Sequence, residues 1–291
     1  MTRSAKAVAL HLLRIRHPER EASVERPVER EGFSRAACGA RRLQPSGCGS
    51  VLPTTYDVHM NRREFLASTA AAAIGLPSLA RAQDATIRPG QQDLKLGEAD
   101  RDGVIYIPRG YTPDKAWPLM VMLHGAGNTG RGVAYTFPLA DEFGVVVLAP
   151  DSRDEATWDV LLTGYGPDVE FIGAALKHTY NRCNIDRKRM ALGGHSDGAS
   201  YSLSLGLGTG DTFGHVIAFS PGVMKPAEVH GKPHIFISHG ISDPIMPIDV
   251  TSRRFVPRLK NLGYDVTYRE YEGRHGVTPA VVREGFEWFL T

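Results

Sequence analysis

From about residue 90 to the C-terminus, short apolar runs alternate with longer amphipathic ones. Eight runs have the length and β-branched content of strands: 93–96, 103–107, 118–124, 145–150, 189–193, 215–220, 234–239 and 265–271. Stretches such as VMLH, VVVLAP and IFISHG are apolar on both faces, the pattern of parallel strands covered from both sides. Between them, residues 168–180, 198–207, 251–262 and 278–290 repeat apolar side chains at helical spacing. Local punctuation agrees, with Thr278-Pro279 set as an N-cap followed by Pro at N1, and Gly263 where a glycine closes a helix. This alternation predicts an α/β fold: about eight strands in a mostly parallel sheet, helices on both faces, and two strands pairing antiparallel at the start.

Upstream the pattern changes. The segment 60–82, MNRREFLASTAAAAIGLPSLARA, has a basic start, a short Ala-rich apolar stretch, and Ala80 and Ala82 in an A-x-A arrangement before Gln83. Those are the parts of an export signal, in order. Arg62 and Arg63, followed by Phe65 and Leu66, resemble the twin-arginine signal read by the Tat export machinery, although Asn61 and Ala67 depart from it. The competing reading is an amphipathic helix start with both arginines on a solvated face. Because such signals act from an N-terminus, Met60 is read as the true start. Residues 1–59, with 9 Arg and no periodic apolar pattern, are then an over-extended gene model or a disordered extension. Cleavage before Gln83 leaves 83–291 as a single domain of 209 residues, expected in the periplasm or secreted.

Composition changes this picture little. At 42% hydrophobic and 23% charged, with 31 Gly, 19 Pro and 3 Cys, the chain excludes wholesale disorder, collagen and a disulfide miniprotein. No apolar run approaches the roughly 20 residues of a membrane helix, so no stable membrane insertion is expected. The net charge of +2 divides into +6 over residues 1–82 (13 Lys+Arg, 7 Asp+Glu) and −4 over 83–291 (21 against 25). A mildly acidic body gives no footprint for nucleic acid. Cys38 and Cys48 lie upstream, so Cys183 alone remains after Gln83, more a packing residue than a nucleophile.

The chemistry concentrates at Gly194-His195-Ser196-Asp197-Gly198, a G-x-S-x-G between a strand pattern (RMALGG) and a helix pattern (ASYSLSLGL). A lone match is weak, and its bland alternative is a Gly-rich turn with a capping Ser. The strand–turn–helix context makes it strong, because a sharp turn there lifts the Ser196 hydroxyl out of the sheet and aims helix N–H groups at a developing oxyanion. A second oxyanion donor belongs in the loop after the third strand, His124-Gly125-Ala126-Gly127. Asp243 follows the strand ending at Gly240, and His275 follows the next strand, so both fall on carboxyl-end loops that converge in an open α/β sheet. Ser196, Asp243 and His275 are therefore expected as nucleophile, acid and base.

Other residues compete for these roles. Asp249 reads as a helix N-cap, Asp197 adjoins the nucleophile too closely to hold a distant His, and His195 is expected to point away from Ser196. His230, His234 and His239 straddle a strand without an accompanying carboxylate set, so no metal site and no cofactor is expected.

With these motifs the chain resembles the α/β-hydrolases of the carboxylesterase/phospholipase/thioesterase type, on LHGAGNTG, GGHSDGASYSLSLGL, SHGISDPIMPID and EGRHGVTP. Residues 168–200 are also similar to polyhydroxybutyrate depolymerases and feruloyl esterases. The resemblance implies oxyanion donation by the backbone N–H groups of Ala126 and Asp197. Asp197 stands where such esterases usually carry Gln, which implies poor acceptance of anionic substrates. Only about a dozen residues separate the sixth and seventh strands, too few for a lid domain. A lidless cleft suits short acyl or polymer-surface esters, with Trp158 as its wall or, equally, as a loop anchor. The reading is an exported serine hydrolase of small-molecule or polymeric esters. Its rivals are a serine peptidase on the same fold and a catalytically silent ligand-binding relative.

Overall fold

The computed structural model describes residues 87–97 and 101–291. The export signal, the cleavage point before Gln83, residues 1–59 and Cys38 and Cys48 lie outside the described residues.

Eight strands form one sheet: β1 (Gly90–Asp93), β2 (Gly103–Ile107), β3 (Trp117–Leu123), β4 (Val146–Pro150), β5 (Ile185–His195), β6 (His215–Phe219), β7 (His234–Gly240) and β8 (Val266–Tyr271). Their spatial order is β1-β2-β4-β3-β5-β6-β7-β8. The β1–β2 and β2–β4 pairs are antiparallel, and every later pair is parallel. Among the described residues five α-helices cover it: α1 (Phe137–Phe143), α2 (Pro167–Arg182), α3 (Asp197–Gly208), α4 (Ser252–Asn261) and α5 (Pro279–Leu290).

Strand β3 explains why the sheet is buried twice. Leu119, Val121 and Leu123 point to one face with α2, and Met120 and Met122 to the other with α1 and α5. The period-two alternation of side chains sends both sets of apolar groups into cores, so no polar face is left in the pattern. Helix α3 packs over β5 and β6 beside α4, on the α2 side.

The expected elements are present, with shifted ends. Strand β1 lies three residues earlier than its apolar signal, because Lys95 adopts φ +57° and the amides of Lys95 and Leu96 turn onto the Asp102 carboxylate at 2.6 and 3.0 Å. Strand β5 starts four residues before the apolar run, through the half-exposed IDRKR. Helix α1 carried no expectation, although Pro138 at its start and Gly144 in the left-handed conformation at its end punctuate it. At α5, Thr278 caps as expected, accepting from Val281 N–H. Asp249 does not cap α4; it is exposed and paired with Arg253, while Thr251 holds the cap position.

Between β6 and β7 no helix or strand intervenes, as a lidless architecture requires. No helix among the described residues is long and apolar enough to cross a membrane.

Candidate active site

Strand β5 runs into Ser196, whose φ of 58° and ψ of −118° make the sharp turn into α3. Two glycines allow it. A Cβ on Gly194 would lie 2.5 Å from the Gly198 backbone, and one on Gly198 would lie 2.2 Å from the Leu123 carbonyl oxygen. The elbow is tied to β6 through Ser196 N–H donating to the Phe219 carbonyl at 2.9 Å.

Loops after β7 and β8 bring two further groups to Ser196. His275 Nε2 lies 2.8 Å from Ser196 Oγ, and His275 Nδ1 lies 2.7 Å from Asp243 Oδ2. The structure thus brings together Ser196, Asp243 and His275 across separations of 47 and 32 residues. Burial works against ionisation of the Asp243 carboxyl, but hydrogen bonds from His239, His275 and the Met246 amide outweigh it and hold the group well below the usual carboxylate range. An acid held ionised this way keeps the imidazole in the tautomer with its proton on Nδ1, leaving Nε2 free to accept the serine proton.

The loop after β3 lies against the nucleophile: a Cβ on Gly125 would meet Ser196 Cβ at 3.4 Å. Ala126 is exposed on this loop, and Gly127 N–H donates to the Ala156 carbonyl at 2.8 Å. Asp197 heads α3, where the first backbone N–H groups have no carbonyl partner within the helix. Ala126 and Asp197 thus stand on the two segments that flank Ser196 Oγ.

The segment between β4 and α2 locks this arrangement from above, and the sequence pattern missed it. Two carboxylates close it from within. Asp168 accepts from the amides of Arg153 and Asp159 at 2.5 and 2.7 Å, and Asp159 accepts from those of Gly166 and Asp168, both at 2.9 Å. Burial raises both carboxyls, Asp168 to about 6. Thr157 Oγ1 donates to Asp197 Oδ2 at 2.6 Å, which fastens the segment to the elbow.

Trp158 is not a wall of the cleft. It is fully buried, its Nε1–H donates to the His124 carbonyl at 2.9 Å, and its ring packs between His124 and Tyr201. The indole therefore anchors the segment to the oxyanion loop. The Asp197 side chain is also buried, turned into Thr157, and its carboxyl is raised by that burial. His195, expected to point away from the nucleophile, packs its ring against His275 at 5.0 Å. Burial, then the neighbouring His275, push His195 down to about 4, so it stays neutral beside the base.

His239 was considered only as a metal ligand and is instead part of this site: its Nε2 lies 3.2 Å from Asp243 Oδ2. The available signal was a histidine inside an otherwise apolar strand, four residues before the acid. Among the described residues, no group of three or more His, Cys, Asp or Glu is arranged to hold a metal ion. Cys183 is buried, and burial pushes its thiol up to about 12, which leaves it inert.

A doubly covered, mostly parallel sheet with a strained serine at a strand-to-helix elbow is the α/β-hydrolase fold; this chain adopts it and is similar to esterases and thioesterases. Residues 165–285, which include Ser196, Asp243 and His275, match the Phospholipase/Carboxylesterase family. A probable feruloyl esterase C of Aspergillus flavus is 28% identical over 159 residues, which cover 52% of this chain and 57% of that protein. Acyl-protein thioesterase 1 of Gibberella zeae is 26% identical over 204 residues, 57% of this chain and 86% of its own. The chain thus spans little more than half the length of the feruloyl esterases it matches. Among solved structures, esterase PE8 superposes with a TM-score of 0.56 at 21% identity, covering 66% of this chain and 99% of its own. A ferulic acid esterase of Anaeromyces mucronatus superposes with a TM-score of 0.54 at 19% identity, covering 74% and 95%. At these identities the superpositions speak for the fold.

Proposed function

We propose that this chain is an exported serine hydrolase that cleaves carboxylic esters through an acyl-enzyme on Ser196. The observation that carries the reading is the pair of contacts made by His275, 2.8 Å to Ser196 Oγ and 2.7 Å to Asp243 Oδ2. His275 Nε2 takes the hydroxyl proton as Oγ attacks the ester carbon, then returns it to the departing alcohol. Water, activated by the same nitrogen, attacks the acyl-enzyme and releases the acid. The backbone N–H groups of Ala126 and Asp197 receive the oxyanion at each tetrahedral stage. Asp243 orients the imidazole and offsets its positive charge without itself taking the proton.

Short acyl or polymer-surface esters are the proposed substrates. The absence of a lid between β6 and β7 supports this, as do relatives named for feruloyl and acetylxylan esters. The signal-like segment 60–82 supports Tat-dependent export to the periplasm or beyond.

The deciding experiment is intact-mass analysis of residues 83–291 treated with a fluorophosphonate, with Ser196→Ala alongside. One adduct mapped to Ser196 and absent from the variant is expected. A folded protein that takes up no probe would refute the reading. Export is tested separately: Arg62→Lys with Arg63→Lys should retain the chain in the cytoplasm of a Tat-competent host, and unchanged export would refute that part.

A further inference from the structure

We propose that His239 is a positioning residue for the triad: its Nε2–H, shared between the Met246 carbonyl and Asp243 Oδ2, fixes the rotation of the carboxylate on which His275 leans. The inference rests on the esterase reading above.

The Asp243 carboxylate has two kinds of donor. Oδ1 accepts from the amides of Ile245 and Met246, each at 2.8 Å, and these belong to its own turn. Oδ2 accepts from His275, the group whose charge changes during turnover, at 2.7 Å, and from His239 at 3.2 Å. His239 is the donor of the four that sits on a regular element, the end of β7, which is paired with β6 on one side and β8 on the other. It therefore links the carboxylate to the sheet, whereas the other three move with their loops.

The protonation of His239 follows from its partners. Nε2 faces two acceptors, the Met246 carbonyl at 2.7 Å and the Asp243 carboxylate, so it carries a proton in either charge state. Nδ1 lies 2.7 Å from Ser252 Oγ at the first turn of α4. One fully buried ring thereby clamps β7, both ends of the Asp243–Met246 turn and α4. No bulk water reaches it to substitute for a lost contact.

The test compares His239→Ala, His239→Gln and Ser252→Ala by kcat per fluorophosphonate-titrated site, KM for p-nitrophenyl acetate, and the pH profile of kcat/KM. Besides Asp243 and Ser196, the titratable groups facing His275 are His195 on its ring and Asp197 beyond. None of them is altered. His239→Ala should lower kcat about tenfold or more with KM changed less than about threefold, because a loosened acid misplaces the base. The acidic limb should move to higher pH, by about half a unit or more, since a carboxylate with one donor fewer holds the His275 proton more tightly. His239→Gln, whose amide N–H restores a donor, should recover the limb and much of kcat. Ser252→Ala should move kcat in the same direction by less.

A merely structural histidine would lower the melting temperature and leave the per-site kcat and the limb within about twofold and 0.2 unit. That outcome, or a His239→Gln no better than His239→Ala, overturns the proposal. Should the alanine variant fail to fold, His239→Gln and Ser252→Ala carry the comparison through the low-field proton resonance of His275 Nδ1. That proton also separates the two readings. A wild type that neither labels nor turns over refutes the esterase function, and an Nδ1 resonance left unchanged by Ser252→Ala refutes the role of His239.

Discussion

Replacing Ser196 by glycine should make the protein more stable than replacing it by alanine. Ser196 sits at φ 58° and ψ −118°, away from the left-handed helical well near ψ +47°, where a Cβ crowds the backbone. Such strain costs about 1–3 kcal/mol. Glycine relieves it but returns about 0.5–1 kcal/mol through the greater freedom of the unfolded chain, and about 0.8 kcal/mol more through one lost buried carbon. Both variants remove Oγ and its contact with His275, so that contribution cancels in the comparison. The remainder favours Ser196→Gly over Ser196→Ala by about 0.5 kcal/mol, or roughly 1–2 °C in melting temperature for a domain near 200 residues. Urea unfolding at pH 7 with equal m-values measures the difference directly. If the glycine variant is equal to or less stable than the alanine variant, the elbow stores no strain, and the argument that folding energy is diverted to expose the hydroxyl fails.

Trp158→Phe should cost about 1–3 kcal/mol by leaving the His124 carbonyl without its donor, with KM for a small ester within about twofold. A changed KM at unchanged stability would return this residue to the cleft. Gly198→Ala places a carbon 2.2 Å from the Leu123 oxygen and should cost about 3 kcal/mol or more, or prevent folding; a stable, active variant would refute the tight elbow. Burial raises Asp168 to about 6, above its unfolded value near 3.9, so its contribution is present below pH ~4 and lost as pH rises through 6. Unfolding free energy should therefore fall by about 2 kcal/mol from pH 4.5 to 7.5 through this group. Asp168→Asn should flatten that slope while lowering stability overall, since its amide N–H would face a donor; an unchanged slope would refute the assignment.

What could be read in advance follows from where the determining contacts lie. Strands β3, β4, β6 and β7 were legible because a strand buried on both faces must be apolar throughout, and that constraint is written locally. The triad was legible for a related reason: in a parallel sheet, residues just past consecutive carboxyl ends converge, so chain order alone gathers Ser196, Asp243 and His275. Where the deciding partner was distant and polar, the pattern misled. Strand β1 is ended by Asp102 rather than by its own apolar residues. The segment over the elbow owes its shape to Asp159 and Asp168 bonding to each other's backbone. Trp158 could be read as a cleft wall or a loop anchor, and only the structure decides for the anchor, since a large aromatic has the same sequence signature whether it faces inward or outward. His239 is the sharpest case. Four residues before Asp243, it looked like one member of a histidine series, but the pleat of β7 and the turn at Asp243 aim it at the carboxylate. The candidate triad is specified by position along the chain, whereas the residues that hold it in place are specified by side-chain direction, which appears only once the backbone is built.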